Sequence, residues 1–180
     1  MIVFVAGSRQ IKQLDPVICD KLNHIMDQNA VVLVGDASGA DTLVQRFFFE
    51  HDYRNVEVFA CEGKARNNLG NWSVRTVPAD KKVKGFEYYK IKDEAMAQIA
   101  DYGLMIWDGK SRGTLNNVLN LVALGKKAFV YFAPRRTYYQ VDKPEGVEGF
   151  AKLGGEQAYA HYKHLSNSGH PTQQLSFLGK

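Results

Sequence analysis

The chain has 180 residues, of which 45% are hydrophobic and 23% are charged, and this composition excludes a disordered or fibrous protein. The length suits one domain with a core of its own, and no apolar run approaches the length of a membrane span. The net charge of +4 is compatible with anionic ligands, but it is far from that of a dedicated nucleic-acid-binding arm.

Short apolar runs and amphipathic stretches alternate along residues 1–133. The apolar runs at residues 2–6, 30–34, 56–61, 104–107 and 127–133 predict strands buried on both faces. Helical spacing of apolar residues predicts helices at residues 14–26, 43–48, 88–101 and 115–122. Strands that alternate with helices imply a parallel sheet with right-handed crossovers. The sequence therefore predicts an α/β fold, a doubly wound parallel sheet of about five strands with helices on both faces.

Glycine-bearing loops follow the first, second and fourth predicted strands. The third of these loops, residues 108–114, contains two hydroxyl side chains, two cations and Gly113. It lies at the start of a predicted helix, where unpaired amides and the helix dipole favour an anion. The alternative interpretation is an ordinary turn, because turns use the same residue types.

The position of these loops in the sheet strengthens the interpretation as an anion site. In doubly wound sheets, ligands bind beyond the carboxyl ends of the strands, where the strand order reverses. A strand order of 3-2-1-4-5 places this reversal between the first and fourth predicted strands. Residues 7–9 and 110–114 would then face each other across one crevice, and we predict that they bind a phosphate group.

Residues 62–85 form a connection that is longer and more basic than a usual loop between a strand and a helix. Its cations are Lys64, Arg66, Arg75, Lys81, Lys82 and Lys84. One interpretation is a solvated surface on which Trp72 packs against the sheet edge. The other is a flap that closes over an anionic ligand, with Trp72 stacked on a base.

The regular alternation stops after Pro134. Residues 135–139 and 143–146 have the composition of loops or a hairpin, residues 155–165 predict one short helix, and residues 175–178 form a small apolar patch. We therefore divide the chain into a core, residues 1–133, and a C-terminal extension, residues 134–180, which packs on the core or on a second subunit.

The two cysteines indicate a reducing compartment. Cys19 and Cys61 have the spacing of neither a disulfide framework nor a zinc site, and both lie in apolar surroundings. The first residues also lack the pattern of a signal peptide. We expect a cytoplasmic protein with reduced thiols and without a metal site.

Four motifs, taken in order, resemble those of the SLOG superfamily. They are Gly7-Ser8-Arg9, Gly35-Asp36-Ala37-Ser38-Gly39-Ala40-Asp41, Lys92-Asp93-Glu94-Ala95-Met96-Ala97 and Trp107-Asp108-Gly109-Lys110-Ser111-Arg112-Gly113-Thr114. The resemblance covers roughly residues 1–133 and is closest to a branch of small single-domain proteins. It implies a Rossmann-like fold. The superfamily includes cytokinin-activating phosphoribohydrolases, the DNA-processing protein of natural transformation, and antiphage sensor domains that bind NAD-derived nucleotides.

The resemblance also implies roles for individual residues. Ser111, Gly113 and Thr114 would hold a phosphate group, and Gly7, Ser8 and Arg9 would line the same cleft. Gly35, Asp36, Ser38, Asp108, Gly109 and Asn117 complete the candidate ligand-binding set.

Asn117 departs from the pattern of the phosphoribohydrolases, which carry a glutamate three residues after the loop threonine. An amide can form a hydrogen bond with a ribose hydroxyl, but it cannot act as a general base. A glycosidase would need its carboxylate from elsewhere: Asp41, Asp93 and Asp108 are the nearest, and Asp93 and Asp41 are the candidate catalytic residues. Each also has a structural interpretation, Asp93 as a surface residue and Asp41 as a charge at a helix start.

Three functional hypotheses follow. The first is a module that binds a nucleotide or an ADP-ribose- or NAD-derived ligand, for sensing or sequestration, with no cofactor beyond that ligand. The second is a nucleotide-processing hydrolase of the N-glycosidase or phosphoribohydrolase type. The third is a nucleic-acid-binding protein, suggested by the basic residues 62–85. The oligomeric states of members of the superfamily, together with the aromatic C-terminal stretch, imply a homo-oligomer, either a dimer or a tetramer. We expect no membrane partner.

Overall fold

The computed structural model describes residues 1–79 and 82–167, and within these ranges seven strands form one sheet. The strands are β1 (Ile2–Gly7), β2 (Val31–Gly35), β3 (Val56–Cys61), β4 (Ser73–Val77), β5 (Tyr102–Trp107), β6 (Lys127–Phe132) and β7 (Thr137–Val141). Their order across the sheet is β4-β3-β2-β1-β5-β6-β7. All neighbouring pairs are parallel except β6 and β7, which are antiparallel.

Helices cover both faces of this sheet, as predicted. They are α1 (Pro16–Asp27), α2 (Ala40–Glu50), α3 (Gly85–Ile99), α4 (Arg112–Ala123), α5 (Pro144–Leu153) and α6 (Glu156–Asn167). Successive side chains of a strand point to opposite faces. In β1, Val3 and Val5 belong to the core shared with α1 and α2, whereas Phe4 and Ala6 belong to the core shared with α3, α4, α5 and α6. The fold is a Rossmann-like, doubly wound α/β fold.

The central five strands confirm the predicted order. They run β3-β2-β1-β5-β6, so β1 pairs with β2 on one side and with β5 on the other. The helices that follow β1 and β2 lie on one face, and α4, which follows β5, lies on the other. The reversal of strand order therefore falls between β1 and β5.

The predicted number of about five strands is too low, because both edge strands were missed. β4 lies within the basic residues 62–85, and its side chains from Ser73 to Thr76 are exposed. β7 begins with an exposed threonine and pairs with β6 as a hairpin partner, where the sequence predicted loop or hairpin material. Edge strands are solvated on one side, so they lack the continuous apolar run that identifies a central strand.

Trp72 is a core residue, so the predicted flap with Trp72 stacked on a base is wrong. The indole is buried with α1 and α2, and its Nε1 donates a hydrogen bond to the carbonyl of Tyr53 at 3.0 Å. The side chain of Asn68 holds the main chain of Trp72, with bonds of 2.8 and 3.0 Å to its carbonyl and amide. Trp72 packs on the sheet, as the alternative interpretation stated.

The region after β7 contains two helices where one was predicted. Helix α6 corresponds to the predicted helix over residues 155–165, whereas α5 begins at Pro144 in a segment predicted as loop. Two glycines and a proline lower the helix propensity of α5, although a proline at the first helical position is itself a start signal. Both helices pack against α4. The apolar patch at residues 175–178 lies outside the described residues.

Two further properties of the described residues concern the cysteines and the length of the helices. Cys19 and Cys61 are free, half-buried thiols, and burial raises the pKa of both. Among the helices in residues 1–79 and 82–167, none is long and apolar enough to span a membrane.

Candidate functional site

A cleft with a volume of about 560 Å³ opens at the carboxyl ends of β1 and β5. Its walls come from the loops after β1, β2, β3 and β5, the first turn of α2, the first half of α3, and the first turns of α4. This is the reversal point of the sheet, where ligands bind in doubly wound folds. The predicted crevice is therefore present.

Ser8 lies beneath the cleft and joins the loop after β1 to the loop after β5 through hydrogen bonds. Its hydroxyl donates to Asp108 Oδ1 at 3.0 Å, accepts from the Asp108 amide at 3.1 Å, and lies 3.2 Å from Thr114 Oγ1. Its amide donates to the carbonyl of Ile106 at 2.8 Å. Ser8 is fully buried and does not line the cleft, so the two loops meet as predicted but through a side chain that no ligand reaches.

The loop before α4 is held in shape by its own side chains. Asp108 Oδ1 accepts from the amides of Lys110 and Ser111 at 2.9 and 2.8 Å. Ser111 is the N-cap of α4, and its hydroxyl accepts from the amide and hydroxyl of Thr114 at 3.3 and 3.1 Å. Gly109 has a φ of +83°, which favours glycine. These bonds fix the shape of the loop.

Gly113, in the first turn of α4, has no structural reason to be a glycine. Its φ is not positive, and the nearest heavy atom that an added Cβ would meet is Ser111 Oγ at 3.9 Å. Because Gly113 lines the cleft, its missing side chain leaves the helix backbone open to a ligand. The first amides of a helix lack intrahelical acceptors and favour an anion.

Three charged side chains form the opposite wall of the cleft. Asp41, from α2, is 5% exposed, and Lys92, from α3, is 4% exposed. Lys92 Nζ donates to Asp93 Oδ1 at 2.7 Å, and Asp41 Oδ2 accepts from the amide of Ala37 at 3.2 Å. A Cβ atom at Gly35 would overlap both Asp41 Oδ2 and Lys92 Nζ, so this glycine makes room for the pair.

The environment of this wall gives Asp41 an unusual pKa. Burial raises the pKa of Asp41 from its ordinary value of 3.8 to about 6, against the attraction of Lys92. For Lys92, burial acts to lower the pKa, but the carboxylates of Asp93 and Asp41 outweigh it and the pKa is raised. The wall therefore contains a cation and a carboxyl group that ionises close to neutral pH.

The loop after β3 brings an arginine to the cleft. Arg66 donates to the buried carboxylate of Asp36 through Nε at 2.9 Å, Nη2 at 2.6 Å and its amide at 3.1 Å. Burial acts to raise the pKa of Asp36, but the hydrogen bonds from Arg66 outweigh it and the pKa is lowered. Arg66 and Arg9 both place their guanidinium groups over the ring of Tyr89, at 4.7 and 4.9 Å. These contacts form a cationic, aromatic rim.

Buried hydrogen-bonding groups without partners are concentrated on α4. Within the part of the chain that the structure describes, they belong to Arg112, Asn116, Asn117 and Asn120. Asn116 and Asn117 line the cleft, are 1% and 3% exposed, and each leaves Oδ1 unpaired. Asn117 Nδ2 donates to Asp93 Oδ2 at 3.2 Å. An unpaired buried polar group costs about 1–3 kcal/mol, so a hydrogen-bond donor that reaches either of these oxygen atoms would be stabilised there.

The structure brings together nine of the predicted site residues in the lining of the cleft. They are Gly7, Arg9, Asp41, Asp93, Asp108, Ser111, Gly113, Thr114 and Asn117. The other five do not line it: Ser8 and Asp36 act from beneath, Gly35 and Gly109 shape their loops, and Ser38 is exposed.

Sequence reasoning missed Phe86, Tyr89 and Asn116, which also line the cleft, as do Arg66, named only among the cations of residues 62–85, and Lys92, named only as part of a motif. A signal for part of this set was present, because Tyr89, Lys92 and Met96 lie at helical spacing on one face of α3 and Met96 is fully buried. A lysine on the buried face of a helix is unusual and indicates a partner. No group of three or more potential metal ligands occurs in residues 1–79 and 82–167.

Comparisons with known proteins support the fold. No family model matches the chain, and no curated protein sequence matches it at a significant level. Among solved structures, the chain is similar to DNA processing protein A from Helicobacter pylori, a protein studied for its single-stranded DNA binding mode. The TM-score is 0.56 at 13% sequence identity, and the match covers 94% of this chain and 82% of that chain. At this identity the likeness shows a shared Rossmann-like α/β fold.

Proposed function

We propose that the protein is a SLOG-type module whose cleft binds a nucleotide or an ADP-ribose- or NAD-derived ligand, for sensing or sequestration. The four sequence motifs support this proposal, together with the fold shared with DNA processing protein A. The motif residues after β1 and β5 lie on the two sides of one cleft.

The observation that carries the proposal is that this cleft contains both hydrogen-bond donors without acceptors and hydrogen-bond acceptors without donors. The open first turn of α4 at Gly113 offers amide donors to an anion, and the unpaired Oδ1 atoms of Asn116 and Asn117 require donors. A phosphate group linked to a sugar or base with hydroxyl or amino groups satisfies both. At the rim, the guanidinium groups of Arg9 and Arg66, which lie over the ring of Tyr89, add positive charge that favours the phosphate.

Ligand binding is tested by calorimetry and thermal unfolding with nucleoside monophosphates, NAD and ADP-ribose. A ligand that binds only the folded state, at 100 times its Kd, adds about 2.7 kcal/mol of stability and should raise the Tm by roughly 5–10 °C. Stabilisation by at least one nucleotide is the expected result. Failure of every nucleotide to bind or stabilise the protein contradicts the proposal.

Gly113→Val should weaken binding of the stabilising nucleotide by roughly tenfold or more, because the side chain would occupy the approach to the α4 amides. Gly149→Val is the matched control, since Gly149 is also helical and an added Cβ meets nothing within 4 Å. Valine has a slightly higher helix propensity than glycine, so both substitutions change helix propensity in the same direction and by a similar small amount. Calorimetric titration of both variants measures the difference. Equal affinities would place the ligand away from α4.

A hydrolase of the N-glycosidase or phosphoribohydrolase type is the second candidate. Asp41 and Asp93 lie in one cleft, and Asp41, with its pKa of about 6, is suited to proton transfer near neutral pH. Release of free base from the same ligands, followed by chromatography, tests this candidate. Turnover that disappears in Asp41→Asn supports it, and the absence of free base from the whole panel excludes these substrates.

Nucleic-acid binding is the third candidate, favoured by the DNA-binding neighbour and the exposed cations at the rim, including Arg9, Lys110 and Arg66. Binding to single-stranded DNA should weaken steeply with salt, in proportion to the number of phosphates contacted. Fluorescence anisotropy with labelled oligonucleotides, at salt concentrations between about 50 and 200 mM, measures how the affinity depends on salt.

We also propose that the protein forms a dimer or a tetramer, which light scattering distinguishes from a monomer.

A further inference from the structure

Lys92 is a buried cation in the wall of the cleft, between carboxylates from two helices. Its ammonium group lies 2.7 Å from Asp93 Oδ1 on its own helix. On the other side it approaches Asp41 of α2, because both Lys92 Nζ and Asp41 Oδ2 would overlap a Cβ atom at Gly35. A buried ammonium is costly unless it is paired, so this placement depends on the carboxylates around it.

The same group of side chains continues to α4. Asp93 uses its second oxygen, Oδ2, to accept a hydrogen bond from Asn117 Nδ2 at 3.2 Å. Hydrogen bonds therefore join Lys92 and Asp93 of α3 to Asn117 of α4, and Asp41 of α2 lies close to Lys92. All four residues line the cleft, so a ligand would contact this group of side chains directly.

The charged groups that act on Asp41 come from three elements. Lys92 and Asp93 are on α3, Asp36 is on the loop after β2, and Arg66 is on the loop after β3. Arg66 already forms an ion pair with Asp36 at 2.6 Å. Lys92 is thus the buried cation that offsets the combined negative charge of Asp41 and Asp93.

We propose that Lys92 is a positioning residue: its ammonium group holds Asp41 and Asp93 on one wall and sets the charge which that wall presents to a ligand. The inference rests on the proposed function only in treating the cleft as a ligand site. Without Lys92, two carboxyl groups would face each other in a buried place, and Asp41 would keep its proton to higher pH. An anion bound beside Asp41 acts in the same direction, so anion binding takes up a proton and weakens as the pH rises.

The test is a carboxyl ¹³C NMR titration of Asp41 in the ligand-free protein. In the unmodified protein the midpoint is expected near pH 6. Lys92→Met should raise the midpoint by about one pH unit or more, because the neighbouring cation is lost. Lys90→Met is the matched control, since Lys90 is two residues away on the same helix but pairs with Glu87 and Glu94, at 3.6 and 3.3 Å. Equal midpoints in all three proteins would overturn the proposal.

A second measurement needs no variant, so it applies even if Lys92→Met does not fold. In the unmodified protein, the ¹⁵Nζ signal of Lys92 should change at the pH where Asp41 titrates, because the two charges are neighbours in a buried site. A Lys92 signal that does not respond at that pH contradicts the inference.

Sulfate is the probe for the link to ligand binding, since its charge is constant over this pH range. Saturating sulfate should raise the midpoint of Asp41, and sulfate affinity should fall as the pH rises through that midpoint. Sulfate that binds without moving the midpoint overturns the coupling. If Lys92→Met shifts the midpoint but no nucleotide binds, the proposed function is contradicted and the role of Lys92 is supported. If a nucleotide binds but Lys92→Met leaves the midpoint unchanged, the proposed function is supported and the role of Lys92 is contradicted.

Discussion

Gly7→Ala should lower the free energy of unfolding by about 3–5 kcal/mol, because an alanine cannot fit between β1 and β5. A Cβ atom at Gly7 would overlap the carbonyl oxygen of Ile106 and lie 2.7 Å from Ala40 Cβ and 2.8 Å from Ile106 Cβ. These contacts involve backbone and packed core atoms that cannot rotate away. The strands would have to separate where Ser8 joins the two loops, so its buried hydrogen bonds would also be lost.

Urea unfolding of the Gly7→Ala variant measures this loss. Gly149→Ala is the control, because an added Cβ there meets nothing within 4 Å and alanine is the better helix former. We expect the control to be as stable as the unmodified protein or slightly more stable. A Gly7→Ala variant within about 1 kcal/mol of the unmodified protein would mean that β1 and β5 are less closely packed than the structure describes.

Asp41 should make the unmodified protein lose stability as the pH rises from about 4 to about 6. Its carboxyl ionises at 3.8 in the unfolded chain and at about 6 in the folded state. In this window the folded state binds more protons than the unfolded state, so the free energy of unfolding falls with pH and levels off above it. At about 1.4 kcal/mol for each pKa unit, the expected loss is about 3 kcal/mol.

Comparison with Asp41→Asn isolates this contribution. The difference in unfolding free energy between the two proteins should change by about 3 kcal/mol across the window, with the unmodified protein relatively more stable at the acidic end. Asp52→Asn, which removes a carboxylate whose side chain is 90% exposed, controls for the loss of one charge. A difference between the unmodified protein and Asp41→Asn that stays constant from pH 4 to 7 would show that Asp41 is not buried beside Lys92.

Local signals in the sequence were sufficient for the central part of the fold. At the start of α1, Asp15 followed by Pro16 is a typical helix-start pattern, and Asp15 accepts a hydrogen bond from the amide of Val17 at 3.1 Å. The central strands were identifiable because they are buried on both faces and therefore continuously apolar. These features depend on residues that are neighbours in the sequence, so they can be predicted from the sequence alone.

The missed features depend instead on contacts between distant residues. Arg66 belongs to a basic loop in the sequence, and its place at the cleft follows from its bonds to Asp36, which lies 30 residues earlier. The helical spacing of Lys92 indicates a buried position, but it does not identify Asp41 of α2 as the neighbouring carboxylate. Likewise, the polar strand β4 is recognisable as a strand only from its pairing with β3. The spacing of residues along the chain predicts none of these contacts between distant residues.

The central position of β1 has a consequence for how the protein is made. Ser8 and Asp108 are separated by 100 residues, yet their bond closes the floor of the cleft. At a synthesis rate of about 5–20 residues per second, β1 emerges roughly 5–20 s before the strand that it must pair with on that side. During this interval the unpaired backbone N–H and C=O groups along that edge of β1 are open to wrong partners, and contacts of such long range also slow folding. The cleft is therefore assembled late, after most of the chain has been synthesised.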